Sequence, residues 1–424
     1  MLAVLLTMLV VCFIINIPIG FAMGLAALAS LMVAGTMPIE MMPQRMVAGI
    51  NSFPLLAIPL FMMAGSIMER GGISKRIVDL ASALVGHFKG GLAAVSVMAC
   101  TFFASISGSA PGTAAAVGEL TIPEMVKRGY SRPYASSVVA SASCLGVVIP
   151  PSITFILFGI VADVSIGQLF IAGIFPGVLL AGALIAVSVL RSHQLGYPAE
   201  KKQSWKQRWK KFLNSSWGIL MPIIILGGIM TGAFTPTESA GIAVAYGLFV
   251  SIFIYKELSW KDIIPVFYKA SLNSAMIVLL IAVASPFGWI MIIEQVPQMA
   301  SSTILGISSN TYLILMLMIL MYLILGTFME TGAIILLVVP IFAPIAQQLG
   351  IDMVHFGVIT VVALAIGMAT PPVGITLFAT CSISGVSIGQ LSRMILPFLV
   401  TLIGCLILLA FVPAISTFLP QLVF

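Results

Sequence analysis

Charge is what this sequence has least of. Of its 424 residues only 8% are Asp, Glu, Lys or Arg, while 60% are apolar. A soluble domain carries roughly 25% charged residues, so the composition is that of a membrane protein. Cysteine and histidine are scarce as well. The five cysteines (Cys12, Cys100, Cys144, Cys381 and Cys405) are scattered through apolar runs without metal-ligand spacing. An odd, dispersed set argues against a disulfide framework and reads as buried packing residues. The three histidines are dispersed too. There is no G-x-x-x-x-G-K-[ST] phosphate loop, no H-E-x-x-H and no C-x-x-C, so ATP binding by that route and an enzymatic role both lack support. The opening stretch has neither a basic n-region nor a small-residue cleavage site and is expected to be a retained helix. The net charge of +6 bears on membrane topology and does not point to nucleic acid.

What the sequence does have, it has twice. Gly146 with Pro150-Pro151 spells G-x-x-x-P-P, and Gly367 with Pro371-Pro372 spells it again 221 residues later. Val164-Ser165-Ile166-Gly167-Gln168-Leu169 recurs as Val386-Ser387-Ile388-Gly389-Gln390-Leu391, at an offset of 222. Pro123 and Gly129 match Pro344 and Gly350, and Asn51-Ser52 matches Asn273-Ser274, at the same two offsets. So many matches in one register indicate a duplicated unit. Hydrophobic segments interrupted by Gly and Pro in corresponding halves are the best sequence pointer to a transporter binding site.

Stretches of about 20 apolar residues are long enough to cross a bilayer. The pattern predicts spans over 2–16, 19–35, 52–69, 133–162 and 168–190, and again over 217–232, 239–256, 274–292, 354–383 and 390–418. Between the third and fourth span of each half lie two shorter pieces, 91–105 with 111–123 and 311–327 with 331–345. Each pair is joined at a polar tip and reads as a re-entrant hairpin, tolerated only where protein or a wet cavity surrounds it. The expected fold is therefore an all-α polytopic membrane protein of two inverted-topology repeats, 1–190 and 217–424, each with a re-entrant hairpin and a Pro-broken helix. A basic linker, 191–216, joins them.

Five crossings per half is odd, so the second half enters the membrane the other way up. With the linker Arg191 to Lys211 in the cytoplasm, Arg70, Lys75, Arg76, Lys89, Lys127, Arg128, Arg132, Lys256, Lys261, Lys269 and Arg393 fall on that side. Only Arg45 falls outside, which is the bias the positive-inside rule requires. Both termini are then outside. Within the linker, Trp205 and Trp209 alternate with Lys202, Lys206 and Lys210 at helical spacing, and a helix on the membrane surface is expected. Residues 73–90 read as a similar lateral arm.

The first hairpin tip runs Ser105-Ile106-Ser107-Gly108-Ser109-Ala110-Pro111-Gly112-Thr113. Its hydroxyls and freed carbonyls offer oxygen, which a hard cation such as Na⁺ prefers, and half-helix C-termini add a negative dipole end. A Ser-rich tip alone reads as a small-residue helix contact; its place beside a duplicated helix break favours the cation. In each break the prolines disrupt helical geometry, so carbonyls from Gly146 to Ile149 and from Gly367 to Thr370 are expected to lose intrahelical partners. The second tip, Gly326-Thr327-Phe328-Met329-Glu330-Thr331-Gly332, carries an acid in an apolar setting. Three roles stay open for Glu330: cation ligand, proton acceptor or brace of the hairpin. Glu238, in Thr235-Pro236-Thr237-Glu238, reads as a first-turn helix residue with a structural role.

These motifs resemble the large membrane subunit of tripartite ATP-independent periplasmic (TRAP) transporters. The residues that carry the likeness are the S-G-S-x-P-x-T-A-A hairpin (Ser107 to Ala115), the two G-x-x-x-P-P breaks and Thr235 to Glu238. The likeness covers essentially the whole chain. It implies a Na⁺-driven, elevator-type importer of organic acids, including C4-dicarboxylates and sialic acids, in the bacterial inner membrane. Its partners would be a small four-helix membrane subunit and a soluble periplasmic substrate-binding protein. Relatives often carry Asp where this chain has Glu330.

Two Na⁺ sites are expected. One lies between Ser105, Ser107 and Ser109 and the segment Gly146, Ile149 and Pro150. The other lies between Gly326, Thr327, Glu330 and Thr331 and the segment Gly367 to Thr370. The organic acid is expected between the tips, near Ser109, Thr113, Ser152, Thr154 and Thr376. The topology puts no Lys or Arg at the midplane, so hydroxyls and half-helix N-termini would hold the anion. A one-component Na⁺/carboxylate carrier and a passive channel are the competing readings.

Overall fold

The computed structural model describes residues 1–35, 37–199, 203–308 and 310–424. Over these the chain is helical, with one isolated antiparallel bridge between Lys89 and Ala199. The first half contains α1 (Leu2–Ile14), α2 (Ile19–Ala34), α3 (Met41–Ile50), a 3₁₀ turn (Phe53–Leu56) leading into α4 (Ala57–Arg70), and α5 (Ile73–Val85). It continues with α6 (Gly91–Ser107), α7 (Ala110–Lys127), α8 (Arg132–Ser143), α9 (Leu145–Val148), α10 (Ile153–Ala162) and α11 (Ile166–Gln194). The second half contains α12 (Trp205–Met230), α13 (Pro236–Phe249), α14 (Trp260–Ile293), α15 (Val296–Ile307), α16 (Thr311–Phe328) and α17 (Thr331–Gln348). It ends with α18 (Met353–Gly367), α19 (Ile375–Ser384), α20 (Ile388–Phe411) and α21 (Ala414–Val423).

The repeated letters do local work. In Val164–Leu169 and Val386–Leu391 the serine is a helix N-cap: Ser165 Oγ accepts from Gln168 N, and Ser387 Oγ from Gln390 N, both at 3.4 Å. The hexapeptide thus starts α11 and α20 by satisfying a first-turn N–H. Gly129 and Gly350, which follow α7 and α17, have φ of +89° and +71°, a left-handed geometry that glycine adopts without a Cβ clash. Thr235 and Glu238 form a capping box at the start of α13: Glu238 Oε2 accepts from Thr235 N at 2.8 Å and Thr235 Oγ1 accepts from Glu238 N at 3.3 Å. The structural role expected for Glu238 is what the structure shows.

The helices sort into two bodies. One, a frame, packs α14 on α2, α3 and α4, and α13 on α4 and α12, with α1 on α2. The other, a core body, packs α6 on α7, α8 and α11, α16 on α18, α17 on α10, α19 on α7 and α8, and α20 on α8 and α11. Short helices run between the two. α5 touches α12 and α4 on one side and α6 and α7 on the other; α15 touches α14 and α17.

Among the described residues, eight helical stretches are long and apolar enough to cross a membrane, or nine if α8–α10, bent by 43°, counts as one. Large apolar side chains such as Ile223 (60% exposed) and Ile264 (77%) point outward. That is the arrangement of a protein whose solvent is hydrocarbon. Cys12, Cys100 and Cys144 are buried, and Cys381 and Cys405 are half-buried.

Several expectations need correction. Trp205, Trp209, Lys206 and Lys210 do not form a separate surface helix. A Ser204–Gln207 capping box starts α12 there, and the helix runs unbroken to Met230. Lys202 lies outside the described residues. The hairpin arms are longer than expected, at 17 and 18 residues in the first and 18 each in the second. The last span is two helices, α20 and α21, parted at Val412–Pro413. The Asn-Ser pairs sit in different structures. Asn51-Ser52 ends α3 ahead of Pro54, whereas Asn273-Ser274 lies inside the 34-residue α14, where no proline follows closely.

Candidate transport site

Both hairpins turn at residues that terminate one helix and cap the next. Ser107 ends α6, Gly108 turns with φ +60°, and Ser109 caps α7 by accepting from Gly112 N at 3.4 Å. Phe328 ends α16, and Glu330 caps α17 by accepting from Ala333 N at 3.2 Å. Ser109 and Glu330 are 221 residues apart, so they hold the same place in the duplicated unit.

Each tip is pressed against a Pro-Pro break. Ile149 is extended (ψ 126°), as a residue before proline must be, and ends α9. In both breaks the bond between the two prolines is cis. A Cβ on Gly146 would lie 2.5 Å from Ser109 O and 2.6 Å from Thr113 Oγ1, so only glycine lets the tip seat there. A Cβ on Gly367 would lie 2.7 Å from the Cα of Gly326. The second seat is stitched further by Gly374 N, which donates to Thr327 O at 2.9 Å.

The first tip gathers oxygen. Ser107 Oγ lies 2.8 Å from Thr113 Oγ1 and 3.2 Å from Ser109 O, and Thr113 Oγ1 donates to Ser109 O at 2.8 Å. Three oxygens thus share one point opposite Gly146. Ser105 does not join them; its hydroxyl donates to Phe102 O within its own helix.

At the second tip Glu330 is occupied by its own turn. Oε2 takes Ala333 N, and Oε1 accepts from Thr331 Oγ1 at 3.1 Å. Thr327 and Thr370 donate back to Ile324 O and Ile366 O, both at 2.7 Å. Across the two tips (105–113 and 326–332) and the two breaks (146–154 and 367–376), Glu330 is the single charged residue.

Carbonyls at the breaks find donors beyond their own helices at three positions. Val147 O accepts from Ser152 Oγ at 2.5 Å. Met368 O accepts from Thr376 N at 3.1 Å and Thr376 Oγ1 at 2.8 Å. Gly367 O accepts from Thr370 N at 2.9 Å. Val147 and Met368 are again 221 apart, so each half closes its break with a hydroxyl from beyond the prolines. A backbone carbonyl in an apolar interior is costly to leave unpaired, and a nearby hydroxyl is the least disruptive partner. Ser152, Thr154, Thr376 and Thr113 are all buried.

The first break and α10 touch both tips: Gly108 packs on Pro151 and Ile153, and Gly332 packs on Leu157. The N-termini of α7, α10, α17 and α19 and the C-termini of α6, α9, α16 and α18 all lie at these tips and breaks. The positive ends suit an anion and the negative ends a cation. The sequence reading did not single out Gly108 or Gly374 as seat residues. Gly108 directly after Ser107, and Gly374 two residues past the second Pro-Pro pair, become signals only once the packing is known.

Comparison with known proteins gives a family, two relatives and a similar fold. The family model described as "Tripartite ATP-independent periplasmic transporter, DctM component" matches residues 6–415. The chain is 42% identical over 406 residues to the isethionate TRAP transporter permease protein DctMQ of Oleidesulfovibrio alaskensis, covering 96% of this chain and 64% of that longer protein. It is 36% identical over 421 residues to the C4-dicarboxylate TRAP transporter large permease protein DctM of Rhodobacter capsulatus, covering 96% of both chains. In fold it is similar to the crystal structure of the Alcanivorax borkumensis YdaH transporter, with a TM-score of 0.62 over 87% of each chain at 15% identity.

Proposed function

The chain belongs to the DctM component family of tripartite ATP-independent periplasmic transporters, the large permease subunits of the inner membrane, and on that footing we propose that it imports an organic acid by Na⁺ symport. The observation that carries the reading is the repeated seat: a hairpin tip capped by Ser109 or Glu330 and pressed onto a Pro-Pro break through Gly146 or Gly367. The two halves insert as inverted repeats, 1–190 and 217–424, with both hairpins re-entrant.

Na⁺ travels as cargo. The first site is Ser107 Oγ, Thr113 Oγ1 and Ser109 O with the backbone of Gly146 to Pro150, a donor set of oxygen alone, which suits a hard cation. The second is the backbone of Gly326 to Thr331 with that of Gly367 to Thr370. The organic acid lies between the tips at the N-termini of α7 and α10, near Ser109, Thr113, Ser152, Thr154 and Thr376. Bound Na⁺ adds positive field there, so ion and anion bind cooperatively. The core body slides against the frame as an elevator. Its support is the packing of the helices into two groups, bridged by α5 and α15 beside direct contacts of α4 with α6 and of α14 with α17. The substrate is a C4-dicarboxylate, a sialic acid or a small sulfonate. The partners are a small four-helix subunit and a periplasmic binding protein.

The test is reconstituted uptake of labelled acids with candidate binding proteins. The expected result is flux that needs both a Na⁺ gradient and an added binding protein. Flux with Na⁺ but no binding protein would make it a one-component carrier. Flux needing neither would make it a channel.

A further inference from the structure

A cavity of about 240 Å³ opens between the frame and the first hairpin. Ser66 and Arg70 of α4 and Lys269 of α14 line one wall; Ala116, Glu119 and Leu120 of α7 line the other. Its floor is the start of α5, where Gly72, Ser74 and Lys75 face it. Three features of that floor favour an anion. α5 is a 13-residue helix with no side-chain cap at Gly72, so its first-turn N–H groups have no partner within the helix. Ser74 is only 6% exposed, and its hydroxyl is buried without a hydrogen-bond partner. Lys75 has no ion-pair partner among the described residues, whereas Lys269 sits 4.0 Å from Glu69 at the rim. With Arg70, Lys75 and Lys269 set against Glu69 and Glu119, the lining carries a surplus of one positive charge.

The cavity also lies on a route. Thr113, Ala116 and Leu120 share one face of α7, at spacings of three and seven residues. Seven residues of helix cover about 10 Å, so this face leads from the first tip to the cavity wall. Beyond it a second cavity, of about 770 Å³, shares Lys75 and Leu120 and reaches Lys211 and Ala199 next to the linker. The basic residues here are those that the charge bias places in the cytoplasm.

We propose that this cavity is a cytoplasmic exit site for the transported acid, which receives a carboxylate or sulfonate at the N-terminus of α5 and the Ser74 hydroxyl, with Arg70, Lys75 and Lys269 supplying the field. The proposal rests on the importer reading given above. The site gives the anion a second stop after the hydroxyl-lined tip, one whose charge is exposed to water and therefore weakened by salt.

The test uses the full chain with its small subunit in lipid nanodiscs, with Leu120→Cys as reporter and Ser66→Cys, on the facing wall, as a second. Labelling by a charged thiol reagent is read at that position by mass spectrometry, with succinate, isethionate or inorganic phosphate added. Succinate or isethionate should slow labelling severalfold. The protection should vanish in Lys75→Gln/Lys269→Gln and fade at high salt. The proposal is overturned if neither organic anion protects either reporter, if protection survives the double substitution, or if phosphate alone protects, which would mark a headgroup or phosphate site. Uptake is measured in parallel. Uptake without protection removes the exit site and leaves the importer standing. Protection in a chain that transports nothing removes the importer reading and the exit role with it.

Discussion

Gly326 and Gly367 meet backbone to backbone: a Cβ on Gly367 would stand 2.7 Å from the Cα of Gly326 and 3.1 Å from Leu323 O. The contact seats the end of α16 on the end of α18, immediately before the Pro-Pro break. Gly146, 221 residues earlier, seats the first hairpin at a different point, against Ser109 O and Thr113 Oγ1 at the start of α7. Two helices approach this closely only where neither side chain intervenes, which is why small residues mark tight helix contacts in membranes.

Gly367→Ala therefore forces the hairpin off its seat. Overpacking of this kind costs about 1–3 kcal/mol. The expected outcome is a lower melting temperature in detergent and little uptake, with Gly146→Ala behaving alike. Gly182→Ala, where nothing lies within 4 Å of the added methyl, should melt as the parent does.

The oxygen cluster of the first tip predicts a change in ion dependence. Ser107→Ala removes a hydroxyl 2.8 Å from Thr113 Oγ1, and the Na⁺ concentration for half-maximal uptake should rise. Thr370→Ala should raise it less, because Thr370 Oγ1 already donates to Ile366 O. An unchanged Na⁺ titration in both variants would remove the two proposed sites.

Glu330 is expected to brace its hairpin. Gln keeps an oxygen for Ala333 N, so Glu330→Gln should retain both stability and Na⁺ dependence. Glu330→Ala removes the cap, at a cost of about 1 kcal/mol, and should lower the melting temperature. Loss of Na⁺ dependence in the Gln variant would instead show that the charge itself is used.

Thr154 and Thr376 separate anion binding from repair of the helix. Thr376→Val deletes the bond to Met368 O and should lower stability as well as uptake, and Thr376→Ser should restore both. Thr154→Val should weaken substrate dependence at saturating Na⁺ while stability holds. Wild-type substrate dependence in folded Thr154→Val and Thr376→Val would mean that the acid binds elsewhere.

The inverted arrangement has its own check. Single cysteines at Lys127 and Asp352, at matching ends of the two hairpins, should label from opposite faces of the membrane. Labelling from one face would leave the halves parallel.

Much of this protein was legible in its letters because the causes are local. A low charge content and long apolar runs make a membrane protein whatever the packing. Proline cannot donate and restricts its predecessor, so two Pro-Pro pairs meant two broken helices. Ser165 and Ser387 start helices because a hydroxyl reaches an N–H three residues on. The duplication itself needs only comparison of one half with the other.

Tertiary structure decided what depends on residues far apart. Ser109 and Glu330 cap equivalent turns, yet only the folded chain shows that one tip gathers hydroxyls while the other turns its carboxylate onto its own helix. The sequence left Glu330 open among three roles, since the role is set by which N–H groups reach the carboxylate. Met368 O finds Thr376 across a break, and Val147 O finds Ser152; breaking a helix frees carbonyls, but the path of the chain afterwards determines what meets them. The cavity at Ser74 draws on α4, α5, α7 and α14, whose lining residues run from Ser66 to Lys269, and no local pattern brings those together.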